Sequence, residues 1–169
     1  MKISTQRLEE IIDFIRGLNL DEKYKKEFTN EKIKNILNIN ESLTHSSANR
    51  ETNYENLEFL GDAVLRLIAS DFIKNKYPHM QVGERSELRS HLVSDKWLEE
   101  VGESIKIKSV LVIGKKALRD KSANATIQAE ATEALIGALY ESLSILDPIK
   151  NWLIPFWEEK SEEVLADPH

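Results

Sequence analysis

The sequence predicts an all-α domain. Apolar residues recur three or four positions apart along most of its 169 residues, as in Leu8, Ile11, Ile12 and Ile15, the spacing that lines one face of a helix. Strand-like runs are scarce, and only 105–113 is rich in β-branched residues. Two long apolar runs, 55–75 and 127–140, carry carboxylates at helical spacing. No internal repeat or low-complexity tract interrupts this pattern.

Taken in order, the first helix contains Leu8 to Ile15, and Gly17 is its stop. Shorter helices are expected through Ile33, Ile36 and Leu37, and over 43–47. A long helix begins at Glu55 and runs to about Asn75, ended by Tyr77-Pro78 because the residue before proline disfavours helix. Val82-Gly83 opens a segment in which Leu88, Leu92 and Val93 point inward. Ser94-Asp95 caps a helix with Trp97, Leu98 and Val101, and 105–113 reads as extended or irregular. Asn124-Ala125-Thr126 leads into the second acid-bearing helix. Asp147-Pro148 begins a last one with Trp152, Leu153, Phe156 and Trp157. The three tryptophans lie at apolar helical positions, which predicts core or interface rather than platforms for stacked bases.

The carboxylates point to function. At about 100° per residue, Glu55, Glu58 and Asp62 fall on one stripe that Arg66 continues. The other faces carry Leu57, Phe59, Leu60, Ala63, Val64, Leu65, Leu67 and Ile68, so the helix is expected to be buried almost all round. A narrow acidic seam on such a helix implies a carboxylate cleft or a buried ion-pair network. Glu130 and Glu133 repeat the arrangement among small and apolar residues of the second helix. Gly61 and Gly137 lie beside the acids although glycine inside a helix costs about 1 kcal/mol relative to alanine, which suggests close approach of another chain segment. Carboxylates so grouped repel unless protonated or bridged by cations. Oxygen-only ligands suit a hard ion, Mg²⁺ or Mn²⁺, and phosphodiester hydrolysis is the reaction that most often uses such a site.

These residues also carry a resemblance. Asn56-Leu57-Glu58-Phe59-Leu60-Gly61-Asp62-Ala63 resembles the signature of the ribonuclease III family, Leu43-Thr44-His45-Ser46-Ser47 resembles its upstream element, and Glu130-Ala131-Thr132-Glu133-Ala134-Leu135-Ile136-Gly137 resembles its second acidic motif. The resemblance implies that Glu58, Asp62, Glu130 and Glu133 hold Mg²⁺, for which Mn²⁺ can substitute, with Glu55 an auxiliary acid at the cleft edge. It implies hydrolysis of double-stranded RNA to 5′-phosphate and 3′-hydroxyl ends in ribosomal or messenger RNA maturation and decay. It also implies a two-fold homodimer packed along the signature helix, with Phe59 fitting a pocket on the other subunit; from the residues alone Phe59 reads as an ordinary core aromatic. Two departures stand out. Glu130 replaces the family's usual aspartate, which moves the carboxylate outward by one methylene, and Val82 stands where relatives often place an accessory acid, with Glu84 a possible substitute. His45 is expected to hydrogen-bond at a helix end rather than act as a general base.

Composition sets the bounds. Hydrophobic residues make up 41% and charged residues 31%, an ordinary balance for a folded domain. With no cysteine, disulfides and thiolate metal sites are excluded. No signal-peptide core begins the chain and no apolar stretch reaches the roughly 18 residues of a membrane span, so a cytoplasmic, non-membrane protein is expected. The net charge of −6 includes Glu55, Glu58, Asp62, Glu130 and Glu133, and affinity for a duplex rests on local basic groups. Lys115, Lys116, Arg119 and Lys121, shortly before the second acidic helix, are the candidates for phosphate contact. The expected catalytic domain spans 1–157. Residues 158–169 are expected as a tail or the start of a linker towards a double-stranded-RNA-binding domain that this chain does not contain; alone it should bind RNA weakly.

Competing readings have less support. A di-iron carboxylate bundle needs Glu-x-x-His pairs, but His45, His79, His91 and His169 follow Ser42, Lys76, Leu88 and Ala166 at that spacing. A structural dimer whose acids pair with Arg66, Arg85 or Arg89 has only Arg66 on the acidic stripe. A non-catalytic RNA-binding or ribosome-associated module with the same fold is the principal alternative, and Glu130 is the residue that leaves room for it.

Overall fold

The computed structural model describes residues 2–166. Its helices are α1 (Thr5–Arg16), α2 (Glu22–Lys25), α3 (Ile33–Ser42), α4 (Glu55–Lys76), α5 (Val82–Leu92), α6 (Asp95–Ser104), α7 (Lys115–Leu118), α8 (Asn124–Leu143) and α9 (Asp147–Ala166). Among the described residues there is no strand, only an isolated parallel bridge between Thr44 and Val112. The expected all-α class therefore holds.

Helix α8 lies at the centre, packed on α4, α6 and α3. It buries Ile127, Ala129, Ala131, Ala134, Leu135, Ile136, Ala138 and Leu139 on several faces, and each larger aliphatic side chain so buried contributes about 1.5–3 kcal/mol. Helix α4 is its main neighbour, and the two backbones touch at Gly61 and Gly137: a Cβ on Gly61 would lie 2.0 Å from the Glu133 carbonyl oxygen, and one on Gly137 would lie 2.1 Å from that of Leu57. Close approach is thus the reason for both glycines.

All three tryptophans are core residues, each at most 2% exposed. Trp157 stacks on Trp97 at 5.8 Å and approaches Phe72 at 5.4 Å, while its indole N–H donates to the Leu92 carbonyl at 3.1 Å. This cluster ties α9 to α4, α5 and α6. Beyond it, the polar run 158–163 continues α9, and the buried Lys160 ammonium donates to Glu100 at 2.8 Å on α6. Asp167, Pro168 and His169, also within the expected tail, lie outside the described residues.

The expected helix over 43–47 is not formed. Helix α3 ends at Ser42, where the Thr44 hydroxyl donates to the Asn40 carbonyl at 2.7 Å. Val112 then takes the backbone partners a further helical turn would have used: its N–H donates to the Leu43 carbonyl at 2.8 Å and its carbonyl accepts from the His45 N–H at 2.9 Å. The 105–113 segment that supplies this bridge contains a 3₁₀ turn at Ile107–Val110 before it extends.

Helix α4 also differs from expectation on one face. Phe59 is 83% and Leu67 56% exposed, and Ala63 between them is exposed too. One chain does not cover this apolar stripe.

Candidate active site

The glycine contact brings the acid-bearing stretches of α4 and α8 together. Glu58 and Asp62 flank Gly61 on one helix, and Glu133 contributes the backbone oxygen that faces Gly61 on the other. Burial pushes the Glu58 carboxyl up to about 7, and the negative charges of Glu130, Asp95 and Glu55 push in the same direction, as does a hydrogen bond with Glu130. Burial likewise raises Glu133 to about 8, helped by Asp62, Glu58 and Asp95 and opposed only in part by Arg66. Glu55, Glu58, Asp62, Glu130 and Glu133, expected from sequence, thus form one electrostatic cluster.

Asp95 joins them, although the sequence gives no sign of it. It is the first residue of α6, capped by the Ser94 hydroxyl, which accepts from the Trp97 N–H at 3.1 Å. An acid in the first turn of a helix is ordinarily accounted for by the helix dipole, so nothing in its local sequence marks it as a neighbour of Glu58 and Glu133.

Tyr54 is the second unanticipated member. Its ring is 3% exposed, and its hydroxyl donates to Glu130 Oε1 at 2.8 Å. Burial and this bond push the phenol well above its ordinary range, so it stays a donor. The His45 ring meets the Tyr54 ring edge-on at 5.7 Å. His45 Nδ1 accepts from the Ser47 N–H at 3.1 Å and lies 2.7 Å from the Ser47 hydroxyl, the local hydrogen-bonding role expected of it, although in a turn instead of a helix end.

Arginine does not neutralise the cluster. Arg66 meets Asp62 at 3.3 Å with both side chains about half exposed, a geometry typically worth under about 1 kcal/mol. Arg85 donates to the carbonyls of Tyr77 and Pro78, and Arg89 to the Ser70 hydroxyl. The purely structural reading therefore lacks its counter-charges. Val82 is 79% exposed at the start of α5, and Glu84 turns its carboxylate to the Gln81 N–H in a capping box at 3.4 Å, which accounts for it without a role in the cluster.

Lys115, Lys116, Arg119 and Lys121 are exposed, on α7 and the turn after it. The Gly114 N–H that precedes them donates to the Ser47 hydroxyl at 2.8 Å. Through Ser47, His45 and Tyr54 the basic segment is thereby anchored beside Glu130.

The donor chemistry fits a hard divalent cation: clustered carboxylates with no histidine or cysteine among them, and two acids whose charge is disfavoured as they stand. Among the described residues no three His, Asp or Glu side chains already converge on one point, so Glu58, Asp62, Glu130 and Glu133 would close on a cation by side-chain rotation.

Known proteins share this arrangement of chain. A model of the family described as Ribonuclease-III-like matches residues 35–145. Ribonuclease 3 of Prochlorococcus marinus is 50% identical over 167 residues, covering 99% of this chain and 67% of that protein. Ribonuclease 3 2 of Synechocystis sp. is 42% identical over 127 residues, 75% of this chain and 52% of that protein, so the chain spans from about half to two thirds of these relatives. Two structures of the nuclease domain of ribonuclease III from Campylobacter jejuni superpose with TM-scores of 0.71 and 0.69 at 25% and 26% identity, covering 93% and 94% of this chain and 98% and 96% of theirs; the first is described as flexible in a region involved in dimer formation. With the family model spanning the bridge, the acids and the paired glycines, the chain belongs to the ribonuclease III family of endoribonucleases.

Proposed function

We propose that the chain is a cation-dependent endonuclease domain that hydrolyses double-stranded RNA, leaving 5′-phosphate and 3′-hydroxyl ends, in the cytoplasmic maturation and decay of ribosomal and messenger RNA. The observation that carries the reading is the pair Glu58 and Glu133, supplied by two helices in backbone contact and raised to about 7 and about 8 by burial and by the neighbouring carboxylates, Glu130, Asp95 and Glu55 for the first and Asp62, Glu58 and Asp95 for the second. Glu58, Asp62, Glu130 and Glu133 hold Mg²⁺ or Mn²⁺, with Glu55 and Asp95 adding negative charge at the edge. When bound, the cation supplies the positive field that activates water and steadies the leaving oxygen. The chain's own part is to bring these acids into one cluster through the helix contact at Gly61 and Gly137, with Glu58, Glu130 and Glu133 partly buried, and to offer Lys115, Lys116, Arg119 and Lys121 to phosphates of a duplex recognised by its A-form shape. No described helix is long and apolar enough to cross a membrane. The domain boundary belongs to the same proposal, 1–157 as the catalytic domain and 158–169 as a tail or linker start, of which the part up to Ala166 continues α9 and is held to α6 through Lys160 and Glu100.

End-labelled RNA duplex incubated with the chain at low salt should be cut on both strands in Mg²⁺ and left intact in EDTA. Intact duplex that is nevertheless retained by the chain in both samples would favour the non-catalytic RNA-binding module.

The active form is a two-fold homodimer. Phe59, Ala63 and Leu67 share the uncovered stripe of α4 with Ser70 and Lys74, which border a cavity of about 240 Å³ also lined by Ile73, Val82, Arg85 and Arg89. Antiparallel packing of two α4 helices centred near Leu67 puts Phe59 about 12 Å from the axis, at the end of the second copy's helix where this cavity opens. A Phe59→Ser chain should sediment as a folded monomer where the unsubstituted chain is a dimer; an unchanged dimer would remove Phe59 from the interface.

A further inference from the structure

Among the described residues, the Tyr54 hydroxyl is the one polar group, other than the acids themselves, that a buried side chain fixes on an oxygen of the inner carboxylates. Its donor lies 2.8 Å from Glu130 Oε1, and the ring cannot follow a moving carboxylate: it is 3% exposed, braced by the His45 ring, and its backbone N–H is bonded to the Thr44 carbonyl at 2.9 Å. Glu130 has one more rotatable bond than an aspartate at the same position, and its other partner in the cluster is the Glu58 carboxyl, a like group that holds it only while a proton lies between them. A carboxylate this long needs a fixed donor to keep a single direction.

We propose that Tyr54 is a positioning residue that holds the Glu130 carboxylate against its extra methylene, leaving the second oxygen directed at the cation site. The inference rests on the reading of Glu130 as a cation-holding acid, and adds that the glutamate at 130 and the phenol at 54 work as a pair. The phenol holds one oxygen of Glu130 only, and the other, which Tyr54 leaves unheld, is the one that would turn to a cation. An aspartate at this position would be too short to keep the hydrogen bond from an α8 backbone that the glycine contact fixes against α4.

A double-mutant cycle tests it, with Tyr54→Phe, Glu130→Asp and the double substitution compared with the unsubstituted chain. Two quantities are read: Mn²⁺ affinity by calorimetry or electron paramagnetic resonance, and kcat and KM on one RNA duplex. Melting temperature reports that each chain is folded. Tyr54→Phe should weaken Mn²⁺ binding roughly 10-fold with Glu130 present, the size usual for loss of a ligand-orienting hydrogen bond, and lower kcat with KM nearly unchanged. In the Glu130→Asp background the same change should matter by less than about 2-fold. Equal losses in both backgrounds, or none in either, would overturn the pairing while leaving the nuclease reading intact. Mn²⁺ binding that follows the predicted cycle in a chain that cuts no duplex would overturn the nuclease reading and keep the pairing; no Mn²⁺ binding by the unsubstituted chain overturns both.

Discussion

Glu133→Gln should abolish Mg²⁺-dependent duplex cleavage, by at least about 10³-fold in kcat, and at the same time raise the melting temperature of the cation-free protein. The two effects have one cause. Burial, together with the charges of Asp62, Glu58 and Asp95, raises Glu133 from 4.5 to about 8. A carboxyl whose pKa is higher in the folded chain than in the unfolded one binds its proton more tightly when folded. Between 4.5 and about 8 the folded state therefore carries more protons, and stability falls as pH rises across that window. Glutamine copies the neutral acid in shape and removes the penalty, while it also removes an anionic ligand.

The pH dependence separates this from general stabilisation. Below about pH 4 the two chains should melt together, because Glu133 is then protonated in both folded and unfolded forms or nearly so. The gap should open between 4.5 and about 8 and level off at roughly 3 °C above that window, on the order of 1 kcal/mol once solvent access to the half-buried carboxylate is allowed for. Mg²⁺ should reverse the order, since a cation that binds only the folded chain stabilises it in proportion to its affinity, and the unsubstituted chain binds more tightly. Its apparent Mg²⁺ affinity should itself rise with pH as Glu58 and Glu133 lose their protons near 7 and 8. Thermal melts at about pH 4 and about pH 8.5, below and above the window set by Glu133, with and without Mg²⁺, check all of this. A Glu133→Gln chain less stable than its parent at pH 8.5 without cation would mean that Glu133 is paired rather than repelled.

Much of this site is legible in residue spacing because helices translate sequence distance into direction. Glu55, Glu58 and Asp62 share a stripe by geometry alone, and so do Glu130 and Glu133; the glycines beside them announce the close approach that the structure has at Gly61 and Gly137. What spacing cannot convey is which separate elements meet. Asp95 reaches the cluster from the start of a third helix, and in sequence it is explained fully by its place in a first turn. Tyr54 is hidden for the opposite reason, lying just before the signature stretch on a position whose apolar ring already accounts for it. The 43–47 segment reads as helix because its competitor, the Val112 backbone, lies far along the chain. The uncovered face of α4 is a further case: Phe59 and Leu67 look like core residues in a sequence whether their cover comes from the same chain or from another.

The other large effect belongs to Gly61. Gly61→Ala should destabilise the protein by roughly 3 kcal/mol, the upper part of the usual range for overpacking, which lowers the melting temperature of a chain this size by about 9 °C. A methyl group there would stand 2.0 Å from the Glu133 carbonyl oxygen and 2.9 Å from its carbon, and both atoms belong to a helix backbone that cannot rotate aside. The helices must part, and the oxygen that yields is on the residue whose carboxylate faces Asp62 and Glu58. Whatever fraction remains folded should for that reason lose most of its Mg²⁺-dependent rise in melting temperature, a loss that simple destabilisation would not produce. Gly83→Ala provides the contrast, since nothing lies within 4 Å of its added carbon; it should melt at or slightly above the parent temperature, by up to about 1 kcal/mol of helix propensity. Gly137 meets the same interface from the other side, at 2.1 Å from the Leu57 carbonyl oxygen. Once one alanine has separated α4 from α8, the second finds room already made, so Gly61→Ala with Gly137→Ala should cost well under the sum of the single changes. Additive losses would show that the glycines act at independent contacts, and would remove the shared helix spacing as the element that aligns the four acids.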